Sequence, residues 1–226
     1  EGYKKINKIT IMELSKDGRS FASPEKIELD CDCLAIAGGW TPAVHLFTQS
    51  GGKLKFRDKD QVFIPNEYPS EQISIGSCDG DFELDDVIKN STKSLKEFLN
   101  IKETEFDNLE INCPKDNEIR NIWLLPSDKV LGKTKSFIDY QNDATAKDIK
   151  LALREGFRSI EHVKRYTTTG MGTDQGKLGN MHALGIIAET AGVKMGELGT
   201  TTFRPPYTPL TFGTIVGRNV GEYFDT

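Results

Sequence analysis

Long apolar runs are missing from this 226-residue chain. No stretch approaches the roughly 18–20 residues that a bilayer-spanning helix needs, so a helical membrane protein is excluded. Cysteine is scarce as well, with four in all: Cys31, Cys33, Cys78 and Cys113. Cys31 and Cys33 fall two apart in a strand-like pattern, which points them to one face and hinders pairing with each other. No CxxC and no second Cys/His pair at ligand spacing accompanies them, so a structural zinc site is not expected. Reduced, partly buried thiols in a cytoplasmic protein are the expectation. The three histidines, His45, His162 and His182, lie far apart without triad spacing and are read as satisfied structural residues. Nucleophile elbow, Walker loop and GxGxxG are all absent. So is any excess of positive charge: the net charge is −5, with bases interleaved among acids. Nucleic acid and membrane are therefore not expected partners.

What is present is a soluble composition, 37% hydrophobic and 28% charged, sufficient to bury a core. Residues 6–14 alternate like a strand within a sheet from the outset, so the chain reads as a fragment that starts in mid-domain. Residues 1–100 have the grammar of the tail of an α/β domain. Strands are expected at 8–14 and 26–29, with SKDG (15–18) turning between them. The apolar run 31–37 ends in Gly38-Gly39, as a buried strand does where it opens onto a ligand crevice. Pro42 suits the first position of a short helix reaching residue 47, and Gly51-Gly52 stops that unit. A second strand at 72–76 leads through Ser77, Cys78, Asp79 and Gly80 into a helix from about Glu83. Along it Leu84, Val87, Ile88, Ser91, Leu95, Phe98 and Leu99 share one face. Residues 101–135 read as a connector, with a possible strand at 119–125.

From residue 136 the elements are short and helical. Thr145 and Asp148 make a capping box, Gly156 ends that helix, and Ser159 caps the next. Leu178, Met181, Leu184, Ile187, Ala188 and Ala191 predict an amphipathic helix stopped by Gly192. The prolines of 203–209 forbid helix, so residues 201–226 read as an extended tether.

Two stretches carry possible chemistry. The turn 76–84, with Gly76, Ser77, Gly80, Phe82 and Leu84, sets a glycine pair before a helix N-terminus, a geometry that suits phosphate but often binds nothing. Gly38 and Gly39 likewise permit close approach of a ligand or a tight turn, and Trp40 can cover a flat ring or simply pack. The second stretch is the corner HVKRYTTTGMGTDQGKLGN (162–180). Lys164, Arg165, Thr167, Thr168, Thr169 and Gly170 can hold a phosphate; Asp174 and Gln175 can cap the following helix; or the corner is a docking surface. Its chemistry alone leaves all three open.

Four motifs, in order along most of the chain, resemble one family. They are CDCLAIAGGWTPAVHLFTQSGG (31–52), FIDYQND (137–143), EGFRSIEHVKRYTTTGMGTDQGK (155–177) and GTTTFRPPYTP (199–209). Together they resemble the α subunit of heterotetrameric sarcosine oxidase. The resemblance implies a fold: the C-terminal part of a two-dinucleotide-domain flavoprotein (1–100), a connector (101–135), a small all-α domain of bacterioferritin-associated-ferredoxin type (136–200), and the tether (201–226).

It also implies cofactors and partners: NAD in the α subunit, FMN at the interface with the β subunit, FAD in the β subunit, and tetrahydrofolate in a C-terminal domain beyond this chain. The smaller subunits complete the heterotetramer, and the substrate is a small N-methyl amine. By motif, Gly76, Ser77, Phe82 and Leu84 stand where the family meets NAD, although Asp81-Phe82 replaces an arginine-leucine-like pair. Lys164, Arg165 and Thr167 to Gly170 would face FMN or the β subunit. Cousins of the helical domain hold a 2Fe–2S cluster with four cysteines; stretches 137–143 and 170–177 contain none, so no iron–sulfur cluster is expected. Alternatives are a two-component amine or imino-acid dehydrogenase subunit, or a non-catalytic scaffold module.

Overall fold

The computed structural model describes residues 4–69, 71–107, 109, 111, 113, 120–129, 131, 133–205 and 207–221. Strands β1 (Lys8–Ile11) and β2 (Ile27–Asp30) pair antiparallel, with Lys8 opposite Asp30, and the expected turn closes through Gly18 N–H to Ser15 O. The expected strand at 31–37 is not formed. A buried strand needs hydrogen-bonding neighbours along its length, and among the described residues this run finds one only at its start, where Cys31 N–H donates to Asn7 O at 3.2 Å. Leu34 and Ile36 are consequently exposed, the latter by 81%. The short helix begins later than Pro42 predicts, as α1 (His45–Gln49).

A hairpin that sequence patterning overlooked follows. β3 (Lys53–Arg57) alternates polar and apolar residues, and β4 (Val62–Glu67) brings Val62 to Pro65 into the interior. Its turn has no Gly, Pro or Asn; instead Gln61 takes the left-handed conformation at φ 55°, and Arg57 Nε pairs with Asp60 at 2.5 Å. The expected strand at 72–76 is replaced by an extended approach to a 3-10 turn, Gly76–Asp79. Helix α2 (Leu84–Leu99) starts where periodicity places it, yet it has no buried residue: Leu84, Leu95, Phe98 and Leu99 are all exposed. Residue 119 lies outside the described residues, and 120–125 form no strand.

Strands β5 (Phe137–Asp139) and β6 (Ala144–Thr145) make a small ribbon. It leads into α3 (Ala146–Arg154), α4 (Ile160–Thr167), α5 (Asn180–Ala191) and α6 (Met195–Leu198). At the start of α3 the Thr145 N–H donates to Asp148 Oδ2 at 2.8 Å, the reciprocal half of the capping box. The core gathers Ile138, Ile149, Leu153, Val163, Ile186 and Ile187. Helix α5 is not one-sided as expected. Ala183 to Ala188 are buried in unbroken succession, the pattern of a helix enclosed on all sides, while Leu178 lies outside it and is 73% exposed.

One face of α5 receives α3, on which α4 packs in turn; another receives the distant hairpin, where Phe63 packs with Leu184, Ala188 and Met195. Gly185 lets Trp123 lie on α5, since a Cβ there would fall 2.1 Å from the indole. Residues 201–209 contain no helix or strand among those described, and α7 (Phe212–Val216) follows, capped by Thr211.

Candidate functional site

The turn 76–84 is wedged between hairpin and α2. Gly76 is buried at φ 62°, with α2's Val87 3.4 Å from where a Cβ would stand. Gly80, at φ 86°, offers its carbonyl to Arg57 Nη2 at 2.5 Å, and any Cβ would strike Arg57 and Ile64. The left-handed backbone favours glycine at both positions, and at Gly80 the close packing does so as well. Ser77 and Leu84 are exposed and Phe82 is half-buried. Carboxylates surround the start of α2: Asp79, Asp81, Glu83, Asp85 and Asp86. Burial and the neighbouring Asp81 raise the Asp79 pKa. The helix dipole suits an acceptor here, but this acidic rim opposes a diphosphate and matches hydroxyl donors such as those of ribose. Gly38 and Gly39 sit in an exposed loop near α5, a Cβ at Gly38 lying 3.8 Å from His182; Trp40 beside them is 86% exposed.

The corner after α4 is held from inside. Thr167 Oγ1 donates to Val163 O at 2.8 Å and lies 2.8 Å from Thr169 Oγ1, both side chains being buried. The Gly170 N–H donates to Asp139 Oδ2 at 2.7 Å, and the N–H groups of Gln141 and Asn142 donate to Asp139 Oδ1 at 2.9 and 3.0 Å. Burial by itself would lift the Asp139 pKa; the donors, Gly170 foremost, outweigh it and hold the carboxyl below its ordinary range. Gln141 Nε2 donates to Thr173 Oγ1 at 2.8 Å, and Asn142 Nδ2 to Thr168 O at 3.1 Å. Stretches 137–143 and 168–174 are thus brought together by hydrogen bonds. Thr168 is exposed at φ 61°, Lys164 is half-buried, and Arg165 pairs with Glu161 at 2.8 Å. The six corner residues and the turn 76–84 form separate clusters on the chain.

Asp174 does not cap α5, contrary to one expectation. It closes its own loop, accepting from Gly176 N–H at 3.1 Å, while Gly179 stands at the α5 N-cap without a side-chain bond. Gln175 Oε1 instead accepts from Arg204 N–H at 2.8 Å, joining the corner to the proline-rich segment. Asn180 Nδ2 reaches Thr201 Oγ1 at 3.1 Å, Lys177 donates to the Tyr207 carbonyl, and its ammonium lies 4.3 Å from that ring's centre.

His45 corrects the reading of all three histidines as satisfied. It is 7% exposed, its ring centre 3.8 Å from Phe203 and 5.1 Å from Tyr207, and neither nitrogen finds a hydrogen-bond partner. Burial, reinforced by Lys177, pushes its pKa down to about 4. Sequence reasoning also missed Asp139, Gln141 and Asn142; FIDYQND marked their stretch but not their role, since their partners lie about thirty residues away.

Among the described residues no group of three or more His, Cys, Asp and Glu is placed to hold a metal ion, and no helix is long and apolar enough to cross a membrane. A groove lined by Ile88, Lys89, Lys96, Phe106 and Leu109 touches none of the expected site residues.

Known proteins resemble this chain along most of its length. The family model described as sarcosine oxidase A3 domain matches residues 133–218. Sarcosine oxidase subunit alpha of Rhizobium meliloti (strain 1021) is 36% identical over 228 residues, covering 96% of this chain and 21% of that protein. The subunit of the same name from Corynebacterium sp. (strain P-1) is 34% identical over 97% of this chain and 23% of its own length. The chain thus spans about a fifth of these relatives. The crystal structure of L-proline dehydrogenase from P. horikoshii superposes with a TM-score of 0.63 at 19% identity, over 96% of this chain and 43% of that one. That likeness shows a shared mixed α/β fold.

Proposed function

The chain belongs to the sarcosine oxidase α-subunit family, and on that footing we propose that it serves the oxidative demethylation of sarcosine as part of a multi-subunit oxidoreductase. Sarcosine, oxygen and water would yield glycine, formaldehyde and hydrogen peroxide; with tetrahydrofolate bound in a separate domain, the one-carbon unit leaves as methylene-tetrahydrofolate. The observation that carries this reading is the 36% identity sustained over 96% of the chain. All four cysteines are free, which supports a reducing, cytoplasmic setting.

In this proposal the end of a dinucleotide-binding domain and the small helical domain do different work. The turn with Gly76, Ser77, Gly80, Phe82 and Leu84, together with Gly38 and Gly39, meets NAD. The acidic rim of α2 fits the ribose hydroxyls of that ligand and not its diphosphate, whose counter-charge must come from outside this turn. The corner after α4 faces FMN and the β subunit, which itself carries FAD. The flavins supply the acceptance of electrons from the amine and their passage to oxygen. On the corner, Lys164, Arg165 and Thr168 present charge and hydroxyl outward, while Thr167, Thr169 and Gly170 fix its shape from within. No catalytic residue is assigned to this chain, and turnover is not expected from it alone.

The test is reconstitution of the α subunit with its β partner. Wild-type protein should take up FMN and release peroxide and formaldehyde in equal amounts from sarcosine. The double variant Lys164→Ala, Arg165→Ala should lose most of its FMN while FAD content is kept. Normal FMN content in that variant would remove the corner from the interface; no turnover of sarcosine by wild type would remove the reaction itself.

A further inference from the structure

We propose that residues 139–142 and 168–170 form a carboxylate-binding nest whose resident ligand is the chain's own Asp139, making Asp139 the positioning residue of the threonine-glycine corner. Three backbone N–H groups from two distant segments converge on one side chain. Gln141 and Asn142 donate to Oδ1, Gly170 donates to Oδ2, and Asn142 Nδ2 approaches Oδ2 at 3.4 Å. Asp139 is 5% exposed, and among the described residues no Lys, Arg or His forms an ion pair with it. Its charge is therefore met by oriented peptide dipoles, as in an anion nest, and not by a salt bridge. The depressed pKa of Asp139 agrees with that balance.

The nest is built to hold this geometry. Gly170 stands at φ 70°, and a Cβ there would fall 2.4 Å from Asn180 Oδ1, so any other residue at the position that delivers the third N–H is strained. Gln141 braces the far side of the same loop through Thr173 and the Asp174 N–H, at 2.8 and 3.3 Å. With the Gly170 N–H committed to Asp139, that donor is not open to an outside anion, which meets Lys164, Arg165 and Thr168 on the corner's surface. The nest rests on hydrogen bonds within the chain and is independent of the flavin reading.

Chemical rescue in the full chain tests it. In Asp139→Ala, hydrogen exchange at Gly170, Gln141 and Asn142 should accelerate about tenfold or more, and the melting temperature should fall. Sodium formate, the smallest free carboxylate, should restore both, while sodium chloride at equal ionic strength should not. Equal responses to formate and chloride, or no response to either, would overturn the proposal. Should the alanine variant fail to fold, Asp139→Asn keeps the shape but turns one acceptor into a donor. Exchange should then accelerate at Gly170 or at the Gln141–Asn142 pair, because one N–H must face the amide; unchanged exchange at all three overturns the nest.

Discussion

A buried imidazole without a partner is costly, because neither nitrogen recovers the hydrogen bond it had in water. His45 accepts that cost between Phe203 and Tyr207, where it pins the proline-rich segment against α1. Its pKa falls from 6.5 to about 4 on folding. The unfolded chain therefore binds a proton that the folded chain refuses. The stability owed to neutral His45 is fully present above pH 6.5 and drains away as pH falls toward about 4, an effect of about 3 kcal/mol at most. His45→Phe keeps a ring there and removes the proton. The expected outcome is a melting temperature that declines less than wild type between pH 7 and pH 4.5; parallel curves would acquit the imidazole. Nothing near position 45 in the sequence signals this, since Phe203 and Tyr207 are more than 150 residues away.

At the scale of elements, α2 and α3 look alike in sequence and differ in structure. Both show apolar residues at helical spacing, and both form helices where the sequence places them, α2 by that spacing and α3 by its capping box and Gly156. Helix α3 buries Ala146, Ile149, Ala152 and Leu153, while α2 buries none of its residues. Ile149→Ala should therefore cost about 2–5 kcal/mol. Replacing Leu95 and Phe98 by serine should change the stability of this chain by about 0.5 kcal/mol or less each. Urea unfolding midpoints would measure both, and a large loss from the α2 pair would mean that its face is covered after all. Periodicity reports that a face is apolar and says nothing of what lies on it. The β3–β4 hairpin shows the converse limit: only β3 alternates while β4 buries Val62 to Pro65 in succession, and the left-handed turn position is held by Gln61 where glycine or asparagine would have signalled it.

For the whole molecule, the consequential contact is Phe63 on α5 and α6. It places part of residues 1–100 in one apolar cluster with part of 136–200. The hairpin and the helices should accordingly unfold together. Phe63→Ala should cost about 3–5 kcal/mol and raise amide exchange in α5 as well as in β3 and β4. Faster exchange confined to the hairpin would show instead that the two regions open independently.

The sequence by itself determined helices α2 to α5, the capping box of α3, the glycine stops after α3 and α5, the first hairpin, and family membership through four ordered motifs. These are local quantities, written in spacing, capping residues and glycines. It did not give α6, nor α7 within the segment expected to be an extended tether, and Ser159 stands before α4 without a side-chain bond. Only the tertiary structure decided which groups are already engaged: Asp139 with a glycine N–H 31 residues away, Phe63 with helices more than 120 residues on, and His45 with a ring near the far end. Such pairings depend on how elements pack, and packing leaves no local pattern behind. The sequence leaves the threonine-glycine corner open as a phosphate site, a cap or a docking surface; the structure adds that its Gly170 N–H is bound to a carboxylate of the same chain.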